Sequence, residues 1–240
     1  MAVLIGYQTD ALERNNVHCT TVENKHVVLD LEMCKVPGSR RGGYGLSMEI
    51  IQIGAVLLDD DNEIQGKFTS FVRPEYGFID TAINRLTGIR QYDVKRAPNL
   101  QEVVIRFTEW LGNGPVVMVS WSMTDQSQLY SEIKAKGIDG SKLWSRIGSW
   151  EDCQADFSEK MGAHRQYSLD FAIKATDIQM DGREHDALSD AYNTALLYQK
   201  MKREETLQLN KYYVEALRED EPKRMQFTIG EVLKGIKLYA

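Results

Sequence analysis

Asp30 and Glu32 stand near the end of the run HVVLDLEMC, a short β-branched segment in which Val27, Val28, Leu29 and Leu31 ask to be buried. A strand of this kind belongs inside a sheet, where an uncompensated carboxylate is costly. The two-residue period of a strand turns both carboxylates to one face, so the fold must bring something to that face that balances two negative charges. A second D-x-E triplet, Asp61 and Glu63, carries no such demand. It lies in the acidic stretch DDDNE, where a solvated hairpin turn accounts for it.

After the Gly/Arg-rich stretch KVPGSRRGGYG come two apolar runs split by that acidic turn, EIIQIGAVLLDDDNEIQGKFTSFVRPE. Three successive antiparallel strands are predicted. Leu100, Val103, Val104, Phe107 and Leu111 recur at helical spacing, and Asn99 with Glu102 predicts a capping box. GNGPVVMVSW reads as turn, strand and turn, and TDQSQLYSEIKAKG as a helix ending at a glycine. Ser168 and Asp186 each open a further helical pattern, the second long and basic in its last turn, which suits the helix dipole. Strands first and alternation afterwards predict an α/β fold.

In a chain of 240 residues, 42% of them hydrophobic, there is material for one good-sized core or two small ones, and one domain with extensions is expected. Residues 25–203 carry these patterns and form the expected domain, flanked by an N-terminal extension (1–24) and a C-terminal helical extension (204–240). Leu207, Leu209, Tyr212, Tyr213, Val214 and Leu217 make the latter apolar, and two helices are expected around the break at 219–222. Their apolar faces would pack on the domain, on a second copy of the chain as a homodimer, or on a protein partner.

The net charge of −6 excludes binding of nucleic acid or anionic membrane through a broad basic surface, so any polyanion must be held locally. The longest apolar stretch, Ile50 to Leu58, is interrupted by Gln52 and Gly54 and falls far short of the roughly 20 residues of a membrane span. No membrane association is expected. The start MAVLIGYQTD lacks a basic region before its apolar residues, so it does not read as a secretory signal and a cytoplasmic location is expected. Cys19, Cys34 and Cys153 are odd in number, widely spaced and without CxxC pairing, which predicts reduced thiols rather than disulfides or a zinc site.

Asp125 falls in the first turn of the helix after the fourth strand, at the sheet edge where α/β folds present ligands; a carboxylate placed only for the helix dipole is the alternative. Asp190 flanks the apolar stripe of Leu188, Ala191 and Ala195 and needs a partner, whereas Asp186 is explained as an N-cap. His185 lies in the loop before that helix, free to swing while Asp190 stays fixed. His18, His26 and His164 are read as surface or satisfied structural residues. Clustered carboxylates repel unless cations lie between them, and oxygen ligands with few imidazoles suit Mg²⁺ or Mn²⁺ rather than Zn²⁺. The chemistry implied is metal-assisted hydrolysis.

In order and spacing, VVLDLEMC with EIIQIGAVLLD, VSWSMTDQSQL and GREHDALSDAYNTA resemble the DEDDh 3′-to-5′ exonucleases of the ribonuclease H-like fold. RPEYGFIDTAINRLTGI is similar to the link between the third strand and first helix of that family. The resemblance covers roughly residues 25 to 203, and details such as SLDFAI and GR-x-HDA-x-x-DA-x-N look most like the Eri-like and KapD-like members, which act mostly on RNA 3′ ends. The 35–45 loop and the extension after 203 depart from the compact members.

The resemblance implies a mixed five-stranded sheet flanked by helices, its first three strands antiparallel. It implies two Mg²⁺ (or Mn²⁺) held by Asp30, Glu32, Asp125 and Asp190, and His185 as the base that takes a proton from the attacking water. The substrate would be the 3′ end of single-stranded RNA or DNA, RNA favoured, cut to 5′-mononucleotides. Leu31, Met33, Thr87, Gly88 and Ile89 would contact the terminal nucleotide, and Arg40 and Arg41 the phosphates. A DNA-directed proofreading or repair exonuclease is the alternative within the fold. A non-catalytic binding or scaffold module is another, although all five expected residues are present. A third is an assembly subunit docked through its tail.

Overall fold

The computed structural model describes residues 25–43, 45–163, 165–211 and 213–214, with the backbone alone at 41–43. The three apolar runs become β1 (Lys25–Lys35), β2 (Met48–Leu58) and β3 (Ile64–Phe71), joined as antiparallel neighbours. Between β1 and β2 the Gly/Arg-rich stretch makes a short 3₁₀ helix, Gly38–Gly43. The turn after β2 closes on Asp59, whose carboxylate accepts from the amides of Asp61 at 3.0 Å and Glu63 at 2.8 Å. Asp61 and Glu63 are both exposed, as a solvated turn requires.

After β3 a link of two short helices, α1 (Thr81–Thr87) and α2 (Gln91–Lys95), leads to α3 (Leu100–Leu111). Asn99 and Glu102 form the capping box at its start, each side chain accepting from the other's amide at 2.9 Å. β4 (Val116–Ser120), α4 (Thr124–Ala135), α5 (Ser141–Trp144), β5 (Ile147–Asp152), α6 (Cys153–Lys160), α7 (Leu169–Ala175) and α8 (Ala187–Arg203) complete the described fold. The sheet order is β3-β2-β1-β4-β5, with β4 parallel to both β1 and β5.

The strand period sorts the core into two layers. Val27, Leu29 and Leu31 of β1 pack with α3, α4 and α5 on one face, and Val28 packs with α6, α7 and α8 on the other. Asp30 and Glu32 share the parity of Val28, so they lie on the α8 face. A smaller cluster joins Ile79, Ile83, Ile89 and Val94 of the link to Cys34 of β1 and Ile51 of β2. Cys34 and Cys153 are free and buried.

The start of β2 is tied to α4 through buried charge. Glu49 accepts from the amides of Tyr76 (2.8 Å) and Glu75 (3.1 Å), and Glu132 from that of Ile50 (2.8 Å). Lys136 Nζ lies 2.7 Å from Glu49 and 3.0 Å from Glu132, with all three side chains nearly inaccessible. Removing one partner strands the others without compensation. Lys136→Ala is therefore expected to cost about 3–5 kcal/mol, read from the urea midpoint. A loss under about 1 kcal/mol, the value of a surface pair, would show that water reaches this group.

At residue 203 α8 ends, but the chain does not leave the domain there. Lys160 Nζ donates to the carbonyls of Glu204 (2.9 Å) and Glu205 (3.3 Å), Leu207 is buried in the α8-side core, and the Asn210 amide donates to Ala175 O at 2.7 Å. The body thus continues to residue 210. Of the two helices expected around 219–222, only the start of the first is described, helical at 211 and 213–214; the remainder, with His18, Cys19 and His164, lies outside the described residues. Among the described residues no helix is long and apolar enough to cross a membrane.

Candidate active site

The pairing of β1 with β2 builds the site from beneath. Asp30 stands opposite Gly54 and Glu32 opposite Gln52. A Cβ at Gly54 would lie closer than 3.0 Å to the backbone of Ala187 and Leu188, so only glycine lets the first turn of α8 rest on the sheet beside Asp30. Gln52 fastens that turn: its Nε2 donates to Asp186 Oδ2 at 3.0 Å, and its Oε1 accepts from the Ala187 amide at 3.3 Å. Asp186 caps α8 through the Ser189 amide at 3.1 Å. One turn later Asp190 faces the β1 carboxylates.

On the far side Asp125, in the first turn of α4 and only 6% exposed, accepts from the backbone amide of Leu31. Four carboxylates from three elements meet in this way, and their energetics show the strain. Burial, then the charges of Asp125, Asp190, Glu32 and Asp186, hold Asp30 well above the usual carboxylate range. Glu32 is pushed up to about 8 by burial and the same neighbours, with Arg183 the one cation opposing it. Burial raises Asp125 to about 7 and Asp190 to about 6, the latter against the His185 amide. Carboxylates this close without a balancing cation fit a site for hard divalent metal. Glu32, His185 and Asp190 can each bring one ligand atom within 4.8 Å of the others.

The loop before α8 differs from the swinging segment expected of it. Asn193, wholly buried, accepts from the Asp181 amide at 2.9 Å and donates to its carbonyl at 3.0 Å. Arg183 Nη2 donates to the carbonyls of Arg85 (3.1 Å) and Leu86 (3.3 Å), and the guanidinium lies where a Cβ of Gly88 would be. His185 itself has φ of 59°, in the left-handed region, and its amide donates to Asp190 Oδ2 at 2.9 Å. The backbone is pinned while the imidazole stays exposed, so any motion of His185 is a side-chain rotation.

The proposed nucleotide contacts fall in two groups. Leu31 points away from the carboxylates into the opposite core layer; what it turns to the site is its backbone. Thr87 and Ile89 are buried too, the Thr87 hydroxyl bridging Ile83 O (2.9 Å) and the Ile89 amide (3.0 Å), while Gly88 caps α1 with φ of 72°. Their side chains hold a turn together. Met33 is half-buried, and Arg40 is exposed, its Nη1 3.4 Å from Tyr76 O. The Arg41 side chain lies outside the described residues. Gln52, Gly54, Arg183 and Asn193 carry the geometry of the site without having been singled out as functional by sequence reasoning. Gln52 and Gly54, two breaks in the apolar run of β2, were the visible trace.

A mixed sheet with two carboxylates in the middle of its central strand, met by carboxylates from two flanking helices and a histidine, has the ribonuclease H-like fold and a candidate site for a hard divalent metal. Residues 27–198 match the RNase T family of exonucleases, and the chain belongs to that family. ERI1 exoribonuclease 2 of Danio rerio is 33% identical over 177 residues, covering 64% of this chain and 31% of the relative. The PolC-type DNA polymerase III of Caldanaerobacter subterraneus is 29% identical over 186 residues, covering 75% of this chain and 12% of that protein. This chain thus spans less than a third of the length of these relatives. The nuclease domain of 3′hExo, a DEDDh member solved with rAMP, shares the fold with a TM-score of 0.65 at 22% identity, covering 80% of this chain and 98% of that one.

Proposed function

We propose that the chain is a divalent-metal-dependent 3′-to-5′ exonuclease that removes 5′-mononucleotides from single strands, RNA in preference to DNA. The observation that carries this reading is the convergence of Asp30, Glu32, Asp125 and Asp190 with His185 in a chain of the exonuclease family. These four carboxylates would hold the metals, Mg²⁺ or Mn²⁺. Bound cations supply Lewis-acid stabilisation of charge on the attacking and leaving oxygens. The Asp190 carboxylate, accepting from the His185 amide, fixes the backbone from which the imidazole would reach an attacking water and accept its proton. The relatives named exoribonuclease support RNA. The PolC-type likeness supports a DNA-directed second reading.

A time course on 3′- and 5′-labelled RNA and DNA oligonucleotides, with Mg²⁺, Mn²⁺ or excess chelator, tests all of this. Stepwise shortening from a free 3′ end, abolished by EDTA and faster on RNA, is the expected result. Full activity in EDTA, or fragments from a circular single strand, would overturn it. His185→Ala is expected to lower kcat by about 10²- to 10⁴-fold with the melting temperature nearly unchanged. Near-normal turnover with a lowered melting temperature would reduce His185 to a structural residue.

A further inference from the structure

In a chain of net charge −6, residues 73–96 reverse the balance, with Arg73, Arg85, Arg90, Lys95 and Arg96 against Glu75, Asp80 and Asp93. The three acids are engaged within the fold. Glu75 lies 3.6 Å from Lys136, Asp80 accepts from the Ile83 amide at 2.8 Å, and Asp93 from the Arg90 amide at 2.7 Å. Arg85, Arg90, Lys95 and Arg96 are exposed, and among the described residues none of them has a carboxylate at ion-pair distance.

Helical spacing collects these cations on one side. α1 buries Ile83 and Thr87, four residues apart, which turns Arg85 and Leu86 outward; α2 buries Val94, which leaves Tyr92, Lys95 and Arg96 together on its outer face. Leu86 is 48% exposed and Tyr92 69%. The inner sides of both helices pack on Cys34, two residues beyond Glu32 on β1, and Arg183 ties the end of α1 to the His185 loop. The face therefore starts at the rim of the carboxylate cluster.

Unpaired cations around an open aromatic ring are what holds a single strand, phosphates on the charges and bases on the ring. We propose that the outer face of α1 and α2 carries the nucleotides on the 5′ side of the scissile bond, with Arg85, Arg90, Lys95 and Arg96 meeting phosphates and Leu86 and Tyr92 meeting bases. The proposal rests on the exonuclease reading above and explains how an acidic protein grips a polyanion: the contact is confined to one short link.

Its test uses the full chain and its variant R90Q/K95Q/R96Q, with Tyr92→Ala made separately. Binding of 5′-fluorescein-labelled oligo(rA) of twelve nucleotides is followed by anisotropy across a salt series in the absence of turnover metal. Turnover of a dinucleotide serves as the reference for the carboxylate site. The triple variant is expected to bind the 12-mer about tenfold more weakly, with the log–log salt slope shallower by roughly 0.7 for each charge removed. Dinucleotide turnover and melting temperature should stay at the wild-type level. Tyr92→Ala is expected to weaken binding about tenfold with the slope unchanged, because stacking releases no counterions. Wild-type affinity and slope in the triple variant would overturn the proposal and leave the face to a protein partner. Failure of the wild-type chain to shorten any oligonucleotide would instead refute the exonuclease reading beneath it.

Discussion

Gly54→Ala is expected to cripple the protein in both stability and turnover, although the substitution adds one methyl group and removes none of the site's side chains. The added carbon would overlap the backbone of Ala187 and Leu188, and backbone cannot rotate out of the way as a side chain can. Either β2 or the first turn of α8 must retreat. Overpacking of this kind costs about 1–3 kcal/mol and occasionally more. Because Asp190 and His185 ride on that turn while Asp30 and Glu32 stay on β1, a shift of about 1 Å in the site lowers turnover by about 10²-fold. Thermal melting and oligonucleotide hydrolysis on one preparation check both parts. Wild-type turnover in Gly54→Ala would show that α8 is not held where the structure puts it.

Asp30→Asn is expected to have opposite effects on the two measurements. Turnover should fall on the order of 10³-fold, since a metal-binding charge is lost from the centre of the site. In the metal-free protein, however, melting should rise by a few degrees, because a half-buried carboxylate repelled by Asp125, Asp190 and Glu32 is replaced by a neutral side chain of the same shape. Each carboxyl raised in the fold contributes stability that is complete below its unfolded value, near 4, and is lost as pH climbs through about 6 for Asp190, 7 for Asp125 and 8 for Glu32. Adding Mn²⁺ to the wild type should therefore raise the melting temperature more at pH 8 than at pH 5, where protons compete for the same oxygens. At a hundredfold excess over Kd the gain is about 2.7 kcal/mol, or roughly 5–10 °C. An equal metal-induced shift in Asp30→Asn and wild type would remove Asp30 from the ligand set.

Features set by near neighbours in the chain could be read directly. The Asn99–Glu102 box, the Asp186 cap and the solvated Asp61–Glu63 turn each depend on residues within about four positions, and the structure contains all three. The pair Asp30 and Glu32, half-buried and buried respectively, was legible for a different reason, because charge inside an apolar strand has few explanations. β5 was expected only through the family resemblance and had no located position. As an edge strand paired on one side, Ile147–Asp152 leaves Gly148 and Ser149 exposed and shows little apolar alternation. α1 and α2, too short for a periodic stripe, passed for a connection. The roles of Gly54, Gln52 and Arg183 depend on segments more than ninety residues apart coming together, and no local pattern encodes that.

α8 lies across β1 and β2, the first two strands, so the carboxylates at residues 30 and 190 meet only when segments from both ends of the domain have been made. Such long-range closure is slow and comes late in folding. A chain synthesised only as far as β5 holds three of the four carboxylates and lacks both Asp190 and His185. A fragment ending before Ala187 therefore lacks Asp190 and the helix that carries it to the sheet.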